Sequence, residues 1–536
     1  MAIRFLPVNH DALLIELASL EETLALLDKL QHASLPAVDE MVPAARTLLL
    51  RFQPQKMSAQ CLADLIGGWQ LNGRQHATGK LIEIPVCYDG EDLPQVAGML
   101  GITVAEVIRR HSETEFSVAF TGFAPGFAYL CGDSGLTVAR RPAPRPRIPA
   151  GSVGLAGEFT GIYPKASPGG WQLIATTRMA MWDLSRATPA LLQPGMRVRF
   201  HQKSTRHTVL PAVGAEKPQK PAPGDATLEI VAPGIQMLFQ DEGRAGKAGQ
   251  GVSTSGALDR GALHSANRLV GNPASAVCLE LLPAGVVIEV LADCVIALTG
   301  ASCAISLTTA SNTQHQLSGW QPLALLAGDR LQLGAAQQGA RCYLSLRGGF
   351  AVIPVLDSGS TDTLAQLGPA ALCQGTILRR QRAAAVCAVA INEMAPDRLP
   401  CAGETITLDV VMGPRTDWFT PQAVALFARQ RWRVTPLSNR TGLRLEGDSA
   451  LSRSQPGELP SEGIRPGAIQ VPANGQPVLF LADHPLTGGY PVIASVADWH
   501  LDLAGQLSAG VWLRFNPVLP FNPLRPARSA GDERME

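Results

Sequence analysis

The sequence has no excess of charge of either sign. Its 536 residues include 45 Lys and Arg against 45 Asp and Glu, so the formal net charge at pH 7 is zero. Binding to nucleic acid or to an anionic membrane surface depends on concentrated positive charge. We therefore expect neither nucleic acid nor a membrane as a partner.

The sequence also lacks a segment that would export the protein or hold it in a bilayer. The first residues, MAIRFLPVNHDALLIEL, contain no basic region followed by a long apolar core, so they do not resemble a signal peptide. The most apolar run, 284–300, is interrupted by Glu289 and Asp293 and does not read as a membrane span. The ten cysteines include no C-x-x-C pair, which favours buried thiols in a reducing compartment. These features predict a cytoplasmic protein.

Several familiar catalytic motifs are missing as well. The sequence contains no G-x-x-x-x-G-K-[ST] loop for ATP and no G-x-S-x-G turn for a nucleophilic serine. Its histidines never occur as H-x-H or H-E-x-x-H, so we expect no metal site built from one segment. No Met-Lys-Met stands in an Ala/Val context, so no biotin-attachment lysine is expected either. A metal site would therefore have to be assembled from distant parts of the chain.

What the chain does contain is an internal repeat. Residues 151–200 and 467–515 share one order: a small-residue opening, an apolar strand, a Gly-Gly-aromatic turn, a second apolar strand and a closing strand that ends in Arg-Phe. Such a self-match predicts two copies of one folding unit.

The Gly-Gly turn of the second copy carries the first candidate site residues. Asp483, Thr487 and Tyr490 bracket Gly488 and Gly489. Glycine allows the backbone to approach a ligand closely, which suits a binding site. A tight hairpin would need the same glycines for its geometry alone, so both interpretations stay open for them.

Composition and periodicity divide the chain into five segments. The prediction is a small α/β N-terminal domain at 1–80, a first barrel-type domain at 81–201, a Pro- and Lys-rich linker at 202–226, a second domain at 227–515 and a flexible tail at 516–536. Frequent short strands with glycine-rich turns predict a mainly β protein with an α+β N-terminal part.

Arginines supply further candidates. Arg147 lies in the stretch RRPAPRPRIPAGS, which suits a carboxylate or phosphate partner or, equally, a charged edge strand. Arg347 stands at a strand end before two glycines. Alternation predicts that Arg440 and Arg444 share one strand face about 13 Å apart, where they could hold an anionic ligand or pair with acidic side chains.

A helix is predicted after residue 255, with Ser255 as its N-cap. Asp259 would lie in the first turn, where the helix dipole favours a carboxylate. Asn267 would lie between apolar positions, where it either caps a backbone group or contacts a ligand.

Longer motifs carry a family resemblance. At FTGFAPGFAYL, RPRIPAGSVG and GIYPKASPGGW the first half resembles the KipI family, which is the B subunit of ATP-dependent 5-oxoprolinase. At QDEGRAG, GVSTSGALDRGALHSANRLVGN, SNRTGLRLEG, GAIQVP and DHPLTGGYP the second half resembles KipA, which is the C subunit. The chain thus resembles a fusion of the two, and the same pair of domains forms the carboxyltransferase part of urea amidolyase. The resemblance implies tandem cyclophilin-like β-barrels, in agreement with the repeat.

The resemblance implies three alternative functions. The favoured one is opening of 5-oxo-L-proline to L-glutamate together with a separate A subunit, with ATP as cofactor, because the chain has no biotin carboxylase and no carrier. The second is carboxyl transfer to a small amide such as urea from biotin on a separate carrier, and the third is non-enzymatic inhibition of a histidine kinase. In each case we expect an oligomer.

The resemblance also implies roles for the candidates. Asp483 would act as acid/base or as an orienting group, and Asp483→Asn would abolish turnover and leave the fold intact. The other roles are anion holders (Arg347, Arg440 and Arg444), a backbone cradle (Thr487 to Tyr490) and first-half contacts (Tyr163 and Arg147). Two departures bear on the site: Gly359 stands where the family has an arginine, and Phe159 stands where a glutamine is common.

Overall fold

The computed structural model describes residues 3–71, 79–141, 143, 145–203, 223–382, 386–389, 393–455, 457 and 459–527. The structure is mainly β, with 38% strand and 15% helix. Most of the predicted linker, 202–226, lies outside the described residues. Within the described ranges, no helix is long and apolar enough to cross a membrane.

The N-terminal unit is a four-stranded antiparallel sheet, in the order β1-β2-β4-β3, packed against two helices. Ser19 starts the first helix because its side chain accepts the Glu22 backbone N–H, and the left-handed Ser34 ends it. Leu26 and Leu30 lie on the buried face of this helix, in the apolar core that it shares with the sheet. The elements are β1 (Arg4–Asn9), β2 (Ala12–Glu16), α1 (Leu20–Ala33), β3 (Val38–Pro43), β4 (Thr47–Phe52) and α2 (Ala59–Gly67).

The first barrel follows, with its apolar core enclosed by a seven-stranded sheet. A two-stranded antiparallel ribbon, formed by residues 145–148 and 167–169, extends from it. Its elements are β5 (Leu81–Val86), α3 (Leu93–Leu100), α4 (Val104–Glu113), β6 (Glu115–Thr121), β7 (Ala128–Cys131), β8 (Arg145–Ile148), β9 (Ser152–Ala156), β10 (Phe159–Ile162), β11 (Ser167–Gly169), β12 (Gln172–Thr176) and β13 (Arg197–Gln202).

A middle unit of nine strands separates the two barrels in sequence. Two long, bent strands pair along most of their length and enclose an apolar core. Its elements are β14 (Asp225–Pro233), β15 (Gln236–Gln240), α5 (Arg260–Leu269), β16 (Cys278–Leu282), β17 (Val286–Val290), β18 (Cys294–Thr308), β19 (Gln314–Leu317), β20 (Pro322–Leu325), β21 (Arg330–Leu346) and β22 (Ile377–Arg380).

The second barrel is closed by seven strands around a core that includes Trp432 and Phe515. It also carries a two-stranded antiparallel ribbon, formed by residues 462–463 and 487–488. Its elements are β23 (Thr405–Met412), α6 (Pro421–Arg429), β24 (Trp432–Val434), β25 (Gly442–Glu446), β26 (Glu462–Gly463), β27 (Ala468–Gln470), β28 (Val478–Phe480), β29 (Thr487–Gly488), β30 (Val492–Val496), α7 (Leu501–Gly505) and β31 (Trp512–Leu519).

The two barrels share one topology. The strand order β12-β9-β10-β7-β6-β13-β5 of the first repeats as β30-β27-β28-β25-β24-β31-β23 in the second, and the last strand lies parallel to the first in both. In the second barrel β23 pairs with β30, and in the first the backbone groups of Cys87 and Thr176 join the corresponding ends. The predicted tandem of β-barrels is confirmed.

Arg415, in the second barrel, anchors the N-terminal unit on that barrel. This guanidinium is 2% exposed and donates to both Glu16 oxygens at 3.1 Å and to Glu462. Burial opposes the charge of Arg415, but the two carboxylates outweigh burial and raise its pKa. The N-terminal unit is therefore held by buried charge as well as by apolar contact.

The predicted flexible tail differs from the structure over its first part. Strand β31 continues to Leu519, and the Leu524 backbone N–H donates to the Phe5 carbonyl at 2.8 Å. The Ala527 N–H donates to Asp64 at 2.8 Å. Backbone pairing with the N-terminal unit, which the polar composition did not indicate, is the reason for the difference. Residues 528–536 lie outside the described residues.

Candidate functional site

A buried ion pair stands where the middle unit meets the second barrel. Arg440, in the turn before β25, donates from Nε and Nη2 to the two oxygens of Asp483 at 3.0 Å each. The two residues are 1% and 0% exposed. Burial opposes ionisation of Asp483, but the charge and hydrogen bonds of Arg440 outweigh burial and hold its pKa below the usual value. The carboxylate is therefore ionised at neutral pH.

Loops of the middle unit occupy the remaining positions around Asp483. Ser255 Oγ donates to Oδ1 at 2.6 Å, and the backbone N and Oγ1 of Thr363 donate to Oδ2 at 2.8 and 2.7 Å. Both carboxylate oxygens are thus filled. Of the two roles that the sequence left open for Asp483, this geometry fits the orienting one, because a fully bonded, ionised carboxylate is poorly placed to exchange a proton.

The network continues into the middle unit through Glu280. This carboxylate accepts from Arg440 and, at 2.7 Å, from the Tyr343 hydroxyl. Arg341 Nε lies 3.6 Å from Oε1 of the same carboxylate. The backbone N–H of Asp259 donates to the Tyr343 oxygen at 2.8 Å. Both domains of the second half are thereby joined by one continuous polar network.

The start of helix α5 differs from the prediction. Asp259, and not Ser255, is the N-cap, since its side chain accepts the Ala262 N–H at 2.8 Å. Ser255 has a left-handed backbone, with φ +56°, and its side chain is committed to Asp483. Burial, and then the charge of Asp502, raise the pKa of Asp259 to about 6. Asp259 therefore has a structural role at the edge of the network.

The first barrel reaches the same place through Lys165. This side chain, in the loop between β10 and β11, donates to the carbonyls of Leu364 and Ala365 at 3.2 and 2.8 Å. The neighbouring Thr363 holds Asp483 of the second barrel. We call this meeting point of the two barrels and the middle unit the junction. Its centre is the loop 362–368.

The first barrel also contacts the junction through its turn 121–127. Thr121 Oγ1 donates to the Ala248 carbonyl at 2.8 Å, and the Gly126 N–H donates to the Gln250 carbonyl at 2.9 Å. Gly122 lies directly against Thr487 of the second barrel, so closely that a Cβ at 122 would overlap Thr487 Oγ1. Glycine is therefore required here by the direct contact between the two barrels.

Aromatic side chains fill the end of the first barrel that faces the junction. Tyr163 is 1% exposed, and its ring packs edge-on against Phe123 and Phe127 at 6.1 and 5.3 Å between centroids. Burial raises the pKa of Tyr163, so the phenol stays neutral. Phe159, the departure from the family pattern, packs edge-on against Phe120 and Tyr129 in the same apolar cluster.

Two charged side chains at the junction carry polar atoms without a partner. Arg244 donates from Nε to the Val355 carbonyl and from Nη2 to the Ser360 carbonyl, while its Nη1 contacts no polar group among the described residues. Asp362 accepts the Ala365 N–H at 2.8 Å on Oδ1, and its Oδ2 likewise has no partner there. Burial, and then the charge of Asp483, raise the pKa of Asp362 to about 6.

An open cavity of about 390 Å³ borders the junction. Residues 184–189 of the first barrel form one side and residues 354–357 of the middle unit form the other, with Lys247 and Gln250 between them. Lys247 Nζ contacts Asp357 at 2.8 Å. A small polar molecule can therefore approach the junction from between the two halves.

Several predicted site residues lie away from the junction. Arg347 donates to the Val270 carbonyl at 2.8 Å, beyond helix α5. Arg147 is exposed on β8. Tyr490 is 46% exposed, with the Arg453 guanidinium 5.7 Å from its ring centre. The structure does not bring these side chains together with Asp483.

The expectation that Arg440 and Arg444 share one strand face is wrong. Arg440 precedes strand β25 and is buried, whereas Arg444 lies within the strand and is exposed. Arg440 lies in the turn before the strand, where the alternation of side chains between two faces does not hold. Arg440 does have the acidic partners that were one of its two alternatives.

The remaining candidates have structural contacts. Asn267 donates to the carbonyls of Ala274 and Ala276 at 3.0 and 2.7 Å, which is the capping alternative. Gly488 pairs with Glu462 in the antiparallel ribbon of the second barrel. A Cβ at Gly489 would meet only the Leu459 carbonyl, at 3.4 Å. The contacts of Asn267 and Gly488 explain these two residues without a ligand, whereas no contact of Gly489 requires a glycine.

The arginine-rich stretch and Gly359 also have local explanations. Arg141 and Arg145 both donate to Asp92, at 2.9 and 2.7 Å, so this stretch is tied to its own barrel. Gly359 donates its N–H to an Asp241 oxygen at 2.6 Å, and a Cβ there would stand 2.7 Å from Val277 Cγ2. An arginine at 359 would require Val277 to move.

Sequence reasoning missed five junction residues. Lys165 and Arg244 lie inside the motifs GIYPKASPGGW and QDEGRAG, so the motifs themselves were the available signal. Glu280 is hidden in an apolar strand, and Asp362 and Thr363 stand in an irregular loop without a recognisable spacing. Across the described part of the chain, no group of three His, Cys, Asp or Glu side chains could hold a metal ion.

Comparisons with protein-family models match both halves. Residues 3–192 match the model described as carboxyltransferase domain, subdomain C and D, and residues 250–517 match carboxyltransferase domain, subdomain A and B. The crystal structure of TTHA0988 is 33% identical, covers 94% of this chain and 99% of its own, and superposes with a TM-score of 0.79. The tandem-barrel architecture is therefore shared along nearly the whole chain.

Curated relatives match one half each. The 5-oxoprolinase C subunit of Escherichia coli (strain K12) is 35% identical over 54% of this chain and 90% of its own length. The 5-oxoprolinase B subunit of Escherichia coli O157:H7 is 41% identical over 31% of this chain and 78% of its own length. Urea amidolyase of Saccharomyces cerevisiae is 31% identical over 54% of this chain, but over only 16% of its own length.

The shared fold and the three-way junction define a protein built from carboxyltransferase subdomains. The chain belongs to the carboxyltransferase-domain family, with subdomains C and D preceding subdomains A and B. The chain is similar to both the B and the C subunits of 5-oxoprolinase, which is consistent with a fusion of the two.

Proposed function

We propose that this chain is the fused B and C component of an ATP-dependent 5-oxoprolinase, which opens 5-oxo-L-proline to L-glutamate with a separate A subunit. Each half is similar, over most of the relative's length, to a protein that bears one of these subunit names. One structural observation carries the proposal: loops from both barrels and the middle unit meet at the junction, beside an open cavity. In this proposal the protein works in the cytoplasm as part of an oligomer.

The chemistry of lactam opening suits such a place. An amide carbonyl is a poor electrophile, so ATP would activate its oxygen, and negative charge would develop where fixed cations can stabilise it. Lys165 and Arg244 supply cations at the junction, and Asp362 supplies a carboxyl group with a pKa of about 6. The ion pair of Arg440 and Asp483 holds, through Thr363, the loop that carries Asp362. ATP would be bound with the A subunit.

Carboxyl transfer from biotin to a small amide such as urea is the second candidate. The family model is described as a carboxyltransferase domain, and urea amidolyase matches over 54% of the chain. Biotin would then arrive on a separate carrier. The same junction would bind the amide, since both reactions begin with a small, neutral amide group.

One experiment separates the two candidates. The purified chain is mixed with an A-type subunit, ATP and 5-oxo-L-proline, and glutamate is measured; in parallel it is mixed with carboxybiotin and urea. Glutamate formation that needs both proteins and ATP is the expected result. Carboxyl transfer to urea without glutamate would replace the first proposal by the second. Inactivity in both mixtures would contradict both.

A further inference from the structure

Arg244 differs from every other buried arginine in the described parts of the chain. Arg341, Arg415, Arg440 and Arg465 each contact at least one carboxylate. Arg244 is 1% exposed but contacts only backbone carbonyls, and its Nη1 has no partner within the described residues. Buried charged groups are ordinarily paired, and an unmatched donor calls for an explanation.

A matching acceptor lies nearby. Asp362 is also 1% exposed, and its Oδ2 has no partner among the described residues. Asp362 stands two residues beyond Ser360, whose carbonyl accepts a hydrogen bond from Arg244 Nη2. The two side chains are also close enough for the charge of each to shift the pKa of the other. Among the ion pairs of the described residues, none joins these two side chains. The junction therefore presents a free donor on Arg244 and a free acceptor on Asp362.

Neither side chain can turn away to find another partner. Nε and Nη2 fix the Arg244 guanidinium on the carbonyls of Val355 and Ser360. The Ala365 N–H fixes Oδ1 of Asp362, and Lys165 holds the Ala365 carbonyl. The free atoms are thus held in place by the fold, as expected of a preorganised binding site.

A lactam or urea offers the complementary pair of groups. Its carbonyl oxygen accepts a hydrogen bond, and the adjacent N–H on the same edge donates one. We propose that Arg244 Nη1 binds the carbonyl oxygen and Asp362 Oδ2 binds the N–H of the substrate amide. The nature of the substrate rests on the proposed function, but the pair of contacts applies to either reaction considered there.

The open cavity provides the approach. Val355, whose carbonyl accepts Arg244 Nε, also lines that cavity, so the guanidinium stands one hydrogen bond behind the cavity wall. A molecule of the size of a five-membered lactam is small beside a cavity of about 390 Å³. Binding then requires a local opening of the wall beside Val355, with the hydrogen bond from Arg244 Nε to the Val355 carbonyl kept.

Two small probes test the assignment without ATP or a partner subunit. 2-Pyrrolidone carries the N–H and the carbonyl, whereas γ-butyrolactone has the same ring with an oxygen in place of the N–H. Binding of each to the full chain is measured by saturation-transfer NMR. Wild type is expected to prefer the lactam at least tenfold, because a site built to bond a polar hydrogen rejects the analogue without it.

The variants give the sharper result. In Asp362→Asn the Ala365 N–H keeps the amide oxygen at the Oδ1 position, so the NH₂ group becomes a donor where the substrate N–H needs an acceptor. The preference is then expected to vanish or to invert in favour of the lactone. Arg244→Lys is expected to weaken both probes at least tenfold. Arg465→Lys, a buried arginine paired with Asp11 and Asp498, is the matched control and should keep the wild-type preference.

Two results would overturn the assignment: equal binding of the two probes by wild type, including no binding of either, or an unchanged preference in folded Asp362→Asn, with folding checked by near-UV circular dichroism. Failure of the proposed function would look different. Wild type would then make no glutamate with the A subunit, while the preference for the lactam and its loss in Asp362→Asn would still be measured.

Discussion

Asp483→Asn is expected to destabilise the second barrel strongly, although the two side chains have the same shape. In the wild type, Oδ1 accepts from Ser255 and Arg440, and Oδ2 accepts from Thr363 and Arg440. The NH₂ group of asparagine must replace one of these oxygens, so at least one Arg440 N–H then faces another donor. The sequence-based expectation that this variant keeps an intact fold is therefore revised.

The magnitude follows from the burial of the pair. Removing one partner of a fully buried ion pair costs about 3–5 kcal/mol, because the remaining charge stays in a low-dielectric surrounding. Arg440 keeps Glu280 in the variant, which places the expected loss toward the lower end of that range. For a unit the size of the second barrel, residues 405–519, each kcal/mol lowers the melting temperature by about 4 °C, so a loss of about 3 kcal/mol gives a shift of about 12 °C.

Differential scanning calorimetry measures this loss as the difference in melting temperature between the wild type and the variant. Asp357→Asn is the matched control: its side chain is 87% exposed and paired with Lys247, so the free energy of unfolding should change by no more than about 1 kcal/mol. If Asp483→Asn melts within a degree of this control, the buried network does not support the second barrel as we infer.

Two further predictions concern the junction. Asp362→Asn should stabilise the chain above pH 6 by up to about 3 kcal/mol, because burial and the charge of Asp483 raise the pKa of Asp362 in the folded state from 3.8 to about 6. The ionised carboxylate therefore lowers the stability of the wild type above pH 6, and the asparagine does not. Urea unfolding should show the free energies of unfolding of wild type and variant converging near pH 4. Gly122→Ala should lower the free energy of unfolding by about 1–3 kcal/mol and reduce activity, because the new Cβ would overlap Thr487, and Thr487→Ala should restore part of both. Gly98→Ala is the control: its Cβ would enter open space on helix α3, so it should keep activity and lose no stability, with a gain of up to about 1 kcal/mol from helix propensity.

The fold was predictable because its strongest signal is repetition. The matched segments 151–200 and 467–515 correspond to strands β9 to β13 and β27 to β31, which occupy equivalent places in the two barrels. Alternation inside single strands was also informative. It failed at Arg440, because Arg440 and Thr441 lie in a turn before β25, so Arg440 does not share the alternation that places Arg444 on one strand face.

The site was harder to predict because its geometry depends on contacts between domains. Asp483 and Arg440 could be named from their motifs, but their partners Ser255, Thr363 and Glu280 are 228, 120 and 160 residues away along the chain. No local spacing encodes such contacts. Conversely, Arg347 and Tyr490 stand in similar glycine-rich settings and yet have other neighbours, so the pattern alone could not separate them from the junction residues.

The backbone pairing of Leu524 with Phe5 makes the polypeptide a closed ring in space, because it returns the described C-terminal end to the first strand. The second barrel is thereby attached to the N-terminal unit by contacts that do not depend on the peptide bonds between residues 203 and 223. A protease cut there would leave the halves bound to each other, and a circularly permuted chain with joined ends would keep the same contacts. The arrangement is thus equally suited to one polypeptide or to two, and the relatives that it resembles carry the names of two different subunits.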